Sequence, residues 1–352
     1  MNIYIKNYIK ILKNSGLDAF LITNDINIRY LTGFMSSDAW LLVVKGTLFY
    51  ITDGRYIAQA QKNLKGIHVK EFKKTLIETA FDIMNAYQIR KVGFDSRHVT
   101  HFQYEILKEK SKSLKKISLV AHNGLIEGLR QIKSEEEIQK IKKSLEIHHK
   151  AYQYLKTLIK PGLSEQQIAF QLEHFLQKYN AGLAFSPIIA SGVHTSYPHA
   201  KITARKMAKN DIILVDIGID LNGYKSDLTR MFFLGRIPRL IKDSYEIVRE
   251  VQQKAIEHIK EGVKACDIDK LARNYFKKYK LDHLFVHSLG HGVGLEVHET
   301  PRLSVKSTDI LKQGMIVTVE PGLYWPKRFG IRLEEMVLVT KKGVEALSGH
   351  IN

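Results

Sequence analysis

The chain has 352 residues, of which 44% are hydrophobic and 26% charged, proportions ordinary for a soluble enzyme and a length that suits two domains with a core each. The formal net charge of +18 invites a nucleic-acid reading, but the lysines are spread along the chain. Even the densest run, Lys108–Lys116, is broken by Glu109 and serines, and no zinc-finger or RRM-like motif accompanies it, so solvated helix faces account for the charge and no specific nucleic-acid partner is expected.

In chain order, the N-terminus reads as an amphipathic helix. Lys6, Lys10 and Lys13 interrupt its apolar residues, which excludes a signal peptide or a membrane span, and no membrane partner is expected. Strands follow at 19–23, 40–44, 47–52, 67–72 and 91–94, with a turn at Lys45-Gly46 and helices at 53–64 and 75–87. Asp53-Gly54-Arg55 reads as a strand-to-helix turn with Asp53 as the cap. Residues 1–125 therefore form a small α/β domain without a catalytic set, and 126–352 a second domain. Ser134 with Glu137 makes a capping box for a helix reaching Thr157, stopped before Lys160-Pro161-Gly162. Further helices are predicted at 164–179, 241–261 and 268–279. The single cysteine, Cys266, excludes an intrachain disulfide, fits a reducing, cytoplasmic compartment, and reads as a small buried apolar residue. No internal repeat and no low-complexity segment is visible.

The chemistry lies in the second domain. Asn222-Gly223 is a two-residue hairpin signal between Leu214–Gly218 and Ser226–Arg230. With that turn Gly218 faces Asp227, and Asp216 projects from the same face. The two acids become diagonal neighbours about 7–8 Å apart at the backbone. Carboxylates converging among Ile, Leu, Val and Phe need neutralising, most simply by a shared divalent cation. Next, His291 lies between Gly290 and Gly292, a poor helix that brings backbone close and leaves an imidazole facing outward. Val317-Thr318-Val319 then ends on Glu320 and a Pro-Gly turn, and Gly330–Met336 opens a further strand carrying Glu334. Four carboxylates and one imidazole suit a hydrolytic manganese, cobalt, iron or zinc site.

The order Asp216, Asp227, His291, Glu320, Glu334, with His287-Ser288-Leu289-Gly290-His291-Gly292-Val293-Gly294 and His298-Glu299-Thr300-Pro301, resembles the pita-bread metallopeptidases. Within them it resembles the proline-specific branch, the Xaa-Pro aminopeptidases and Xaa-Pro dipeptidases (prolidases). Asn27–Phe34 and Thr52–Tyr56 resemble the creatinase/prolidase N-terminal domain. The resemblance spans essentially the whole chain. It implies an α+β fold, a pita-bread catalytic domain preceded by the smaller α/β domain. It also implies two divalent ions per chain, with manganese favoured over cobalt, zinc or iron. Asp216 would hold one ion, Asp227 and Glu334 would bridge, and His291 and Glu320 would complete the other. Glu320 would serve as general base, His298 would stabilise the tetrahedral intermediate, and His199, in Tyr197-Pro198-His199-Ala200, would sit by the proline-side pocket. The family often has Leu and Gly where this chain has Tyr197 and Ala200. Arg332 is expected to pair with a ligand carboxylate, and Arg302 is read either as meeting the substrate C-terminal carboxylate or as a surface salt-bridge partner. His194 is read either as a substrate-loop residue or as an ordinary exposed histidine, and His287 as structural. The expected substrates are small peptides with proline second, cleaved by a cytoplasmic homodimer. A metal-free binding relative is the competing class, and retention of all five ligands argues against it.

Overall fold

The computed structural model describes residues 3–113 and 117–348; Lys115 and Lys116 of the densest basic run lie outside them. Contacts divide the chain into Met1–Arg130 and Gln131–Asn352. The sequence division near 125 differs because the short helix after it belongs to the first unit: Arg130 Nη1 donates to Asn27 Oδ1 at 2.9 Å.

In the first unit the elements run α1 (Ile3–Asn14), β1 (Ala19–Ile22), α2 (Asp25–Thr32), β2 (Trp40–Val44), β3 (Thr47–Thr52), α3 (Ile57–Asn63), β4 (His68–Glu71), α4 (Leu76–Ala86), β5 (Lys91–Asp95), α5 (His101–Ser113), β6 (Ser118–His122) and α6 (Leu125–Arg130). They build one mixed sheet, ordered β4-β3-β2-β1-β5-β6. Lys45 and Gly46 both have positive φ, as the tight β2–β3 turn requires. Asp53 does not cap α3, which has no side-chain cap. Its carboxylate instead accepts from the Arg55 backbone N–H at 2.8 Å and pairs with the Arg55 guanidinium, closing the turn before the helix starts.

The second unit holds α7 (Glu135–Leu158), α8 (Glu165–Gln177), β7 (Gly182–Leu183), β8 (Ile188–Ser191), β9 (Ile212–Leu221), β10 (Tyr224–Phe233), α9 (Arg239–His258), α10 (Ala265–Lys278), β11 (Gly290–Gly292), β12 (Glu299–Leu303), β13 (Ile316–Val319), β14 (Gly322–Trp325), β15 (Phe329–Arg332), β16 (Glu335–Val339) and β17 (Val344–Ala346). Capping boxes at Ser134 and Ser164 start α7 and α8. One sheet runs β10-β9-β7 with β8 also on β9, and a second runs β12-β11-β13-β16-β17. Among the described residues, no helix is long and apolar enough to cross a membrane. Cys266 is half-buried in the first turn of α10, beside Asp267 and Lys270, so the fully buried position expected for it is not found.

The second unit does contain a repeat, which the sequence reading missed. Gly162 and Gly262, one hundred residues apart, both have positive φ after a long helix. Gly162 N bonds Met207 O and Gly262 N bonds Leu311 O, each at 2.8 Å, and the return bonds from Met207 to Leu163 and from Leu311 to Val263 are also equivalent. Helix pairs α7–α8 and α9–α10 thus occupy corresponding places. The repeat is also written in the sequence: between 141–179 and 241–279 twelve of 39 positions are identical, among them Ile-Lys-x-Ser-x-Glu-Ile at 141–147 and 241–247 and Ile-Lys-x-Gly at 159–162 and 259–262.

Candidate metal centre

β9 and β10 pair with Leu221 opposite Tyr224, Gly218 opposite Asp227 and Asp216 opposite Thr229. Asn222 and Gly223 supply the positive-φ turn. This register turns Asp216 and Asp227 into one cavity. β11 brings His291 to it by close backbone approach: a Cβ on Gly290 would stand 2.0 Å from Thr318 O, and one on Gly292 2.5 Å from Thr300 O. Glu320 follows the last residue of β13, its N–H bonded to Leu289 O at 2.8 Å. Glu334 is not carried within a strand as expected. It lies in the break between β15 and β16, with its backbone N–H on Thr229 O and its carboxylate accepting from Thr229 Oγ1 at 2.8 Å.

The five residues thus line one cavity of about 650 Å³. Ligand atoms of Asp227, His291 and Glu334 lie within 4.8 Å of one another, and all three residues are buried. His291 Nε2 is 3.4 Å from Glu320 Oε1 and 3.7 Å from Asp227 Oδ2. Its Nδ1 lies 3.1 Å from Gly292 O, which assigns the proton to Nδ1 and leaves the Nε2 lone pair toward the acids. Burial, then the charge of Glu334, pushes Asp227 and Glu320 well above the usual carboxylate range. Burial, then Asp216, pushes Glu334 up to about 8. Burial, then the neighbouring His298, drives His291 down to about 3, so the ring is neutral at physiological pH. Asp216 Oδ1 and Asp227 Oδ1 are buried without a hydrogen-bond partner. Repelling acids, orphaned oxygens and a neutral imidazole form a donor set that fits divalent cations.

Around this set lies a polar frame. The Arg332 guanidinium pairs through Nη2 with Asp216 Oδ2. Its Nη1 donates to Tyr324 Oη at 2.6 Å and to Pro198 O at 3.1 Å, and its Nε to Thr229 Oγ1 at 3.1 Å. Tyr324 in turn lies 3.0 Å from His287 Nε2, whose Nδ1 is 2.8 Å from Ser288 O. His287 therefore lines the cavity while serving the frame. His298 meets the His291 ring edge-on at 4.2 Å between centroids, and it is exposed to solvent. Its turn is pinned by Glu299, which the sequence reading passed over. Glu299 Oε2 pairs with Lys133 Nζ at 3.1 Å, both side chains being at least 95% buried, and Oε1 accepts from Glu296 N at 3.0 Å. His199 and Arg302 also line the cavity, with Phe185, Pro198, Ala200 and Ile202 as apolar wall. His194 does not line it: Nδ1 lies 3.1 Å from the buried Glu165 carboxylate, so it serves neither of the roles expected of it. Glu165 and Tyr324, like Lys133, had no local sequence signal.

Four carboxylates and a neutral imidazole facing one cavity, on a two-halved α+β frame, define a metal-dependent hydrolase. Residues 139–341 match the metallopeptidase family M24, and residues 5–132 match the creatinase/prolidase N-terminal domain. The chain belongs to that metallopeptidase family, with the pita-bread fold that its motifs imply. It is 34% identical to an Xaa-Pro dipeptidase of Pyrococcus horikoshii, over 99% of this chain and 97% of the other. Among solved structures it is similar to an Xaa-Pro dipeptidase from Bacillus anthracis, with TM-score 0.93 and 32% identity over 99% of this chain and 97% of that one. It is also similar to an X-Pro aminopeptidase from Thermotoga maritima, with TM-score 0.88 and 32% identity over 95% and 96%.

Proposed function

We propose that the chain hydrolyses the bond between an N-terminal residue and proline, as a dinuclear Xaa-Pro aminopeptidase. The observation that carries this reading is the convergence of Asp216, Asp227, His291, Glu320 and Glu334 on one cavity with an apolar wall. Asp216 would hold one divalent ion, Asp227 and Glu334 would bridge the pair, and His291 with Glu320 would complete the second. Manganese is the first choice, with cobalt, zinc or iron able to use the same donors. When bound, such ions supply a water of lowered pKa and polarise the scissile carbonyl.

The side chains do the rest. Glu320 takes the proton of the attacking water. Desolvation at the cavity, then the charge of Arg302, lower the His298 pKa, and its ring is free to donate an N–H to the developing oxyanion. Arg332 fixes Asp216 in place through its ion pair. His199 and the apolar wall receive the proline ring, which fixes φ and offers no amide hydrogen. Arg302 offers its guanidinium fork to a substrate carboxylate at the cavity edge. That last contact, with the likeness to the Pyrococcus horikoshii enzyme, supports the second reading, an Xaa-Pro dipeptidase. A cytoplasmic homodimer completes the proposal. The single cysteine supports the compartment, and the dimer rests on the family resemblance alone.

The test is kinetic. Ala-Pro, Ala-Pro-Ala and Ala-Ala are compared on purified protein, before and after chelation and on re-addition of manganese. Chelation should abolish turnover, manganese should restore it, and both proline substrates should be cleaved far faster than Ala-Ala. Turnover of Ala-Pro alone selects the dipeptidase. Equal specificity constants for Ala-Pro and Ala-Ala, or full activity without metal, overturn the proposal.

A further inference from the structure

The repeat places corresponding helix positions, one hundred residues apart, against the strand that carries Asp216 and the strand that leads into Glu320. Tyr152 on α7 is fully buried, and its hydroxyl lies 2.9 Å from Val215 O and 2.8 Å from Leu228 O. Gln252 on α9 is 8% exposed, and its Nε2 donates to Val319 O at 2.9 Å. Val215 immediately precedes Asp216, and Val319 immediately precedes Glu320. In each half of the unit, then, a buried side-chain donor grips the carbonyl just before a cavity carboxylate.

The geometry matters because the peptide unit is planar. The carbonyl of one residue lies in one plane with the N and Cα of the next, so a held carbonyl leaves the next residue little freedom to swing its Cβ. Holding Val215 O fixes the aim of Asp216, and holding Val319 O fixes that of Glu320. The hydroxyl's single proton is shared with Leu228 O, which extends the grip. Leu228 O shares its plane with Thr229, whose hydroxyl bonds both Glu334 and Arg332. The Tyr152 ring is itself fixed, stacked on His148 at 5.1 Å and on Phe232 at 6.2 Å between centroids. Neither donor reaches the cavity, and neither has a part in the chemistry above.

We infer that Tyr152 and Gln252 are repeat-related positioning residues that aim the metal-binding carboxylates from behind the sheets. The inference rests on the dinuclear reading of the cavity. Its test is a manganese titration of chelated protein by calorimetry, beside thermal melting, for Tyr152→Phe and Gln252→Met. Ser144→Ala is the control. Its hydroxyl is as deeply buried and bonds Ile219 O at 2.9 Å and Ser226 Oγ at 3.0 Å, so its loss removes a comparable hydrogen bond whose carbonyl acceptor precedes Asp220, an acid outside the cavity. Each of the two variants should bind manganese roughly tenfold or more weakly, the scale expected when a group that orients a ligand is lost. The control should lose stability and keep wild-type affinity. If Tyr152→Phe fails to fold, Gln252→Met carries the test. Wild-type affinity in the variants, or the same loss in the control, overturns the inference. Failure of the wild-type protein itself to take up manganese overturns instead the reading beneath it.

Discussion

Replacing Glu334 by Gln should stabilise the metal-free protein while costing it its metal. The Glu334 carboxyl has an ordinary value of 4.5 and is raised to about 8 in the fold, by burial first and then by Asp216. Between those values the folded chain holds a proton that the unfolded chain has released. Metal-free stability must therefore fall as pH rises through that window and level off above it. At about 1.4 kcal/mol per pH unit of displacement, the ceiling for this one group is on the order of 5 kcal/mol above pH 8. Gln removes the titration and keeps a side-chain oxygen for Thr229 Oγ1, now at 2.8 Å. Urea unfolding in chelator, at about pH 5 and about pH 8.5, reads the effect. The variant should match wild type at the lower pH and exceed it by several kcal/mol at the higher, within that ceiling. Elemental analysis after manganese loading should find less metal in it. A variant no more stable than wild type at the higher pH would refute the buried-acid argument, and full metal content would remove Glu334 from the ligand set.

Other consequences concern groups beside the acids. His298→Ala should lower turnover roughly a hundredfold or more with metal content intact if, as proposed, the ring donates to the oxyanion and binds no ion; loss of metal from this variant would make it a ligand. Gly290→Ala would set a methyl 2.0 Å from Thr318 O, a backbone atom that can move only by parting β11 from β13. A stability loss of about 1–3 kcal/mol, with weakened metal uptake through the displaced His291, is expected in chemical unfolding and metal titration. An unchanged midpoint would show that the strands part without cost.

Much of this protein was legible before the structure because its signals are local. Asn222-Gly223 and the alternation on either side dictate the hairpin, and the hairpin dictates that Asp216 and Asp227 share a face. Ser134 and Glu137 announce the start of α7 in four residues. The glycines around His291 foretell close backbone approach, and Gly290 and Gly292 make it.

What only the tertiary structure decided lies across long separations. Arg332 and Asp216 are 116 residues apart in sequence, and Lys133 and Glu299 are 166 apart. Which carboxylate a given arginine or lysine meets depends on how two sheets and their helices pack, and no turn or periodicity encodes that. Glu334 reads as part of a strand because its neighbours are strand formers, yet the site needs it in the break between β15 and β16. The repeat was legible, since Ile-Lys-x-Ser-x-Glu-Ile recurs at 141–147 and 241–247, but what its halves hold in common in space was not. Its halves share backbone hydrogen bonds and the positions of two donors, Tyr152 and Gln252, which differ in chemistry and coincide in place. Sequence fixes what a chain can do within a few residues of itself. The partner of a buried charge, and the group that aims it, exist only once distant segments have been brought together, because their contact follows from burial of apolar surface elsewhere in the fold.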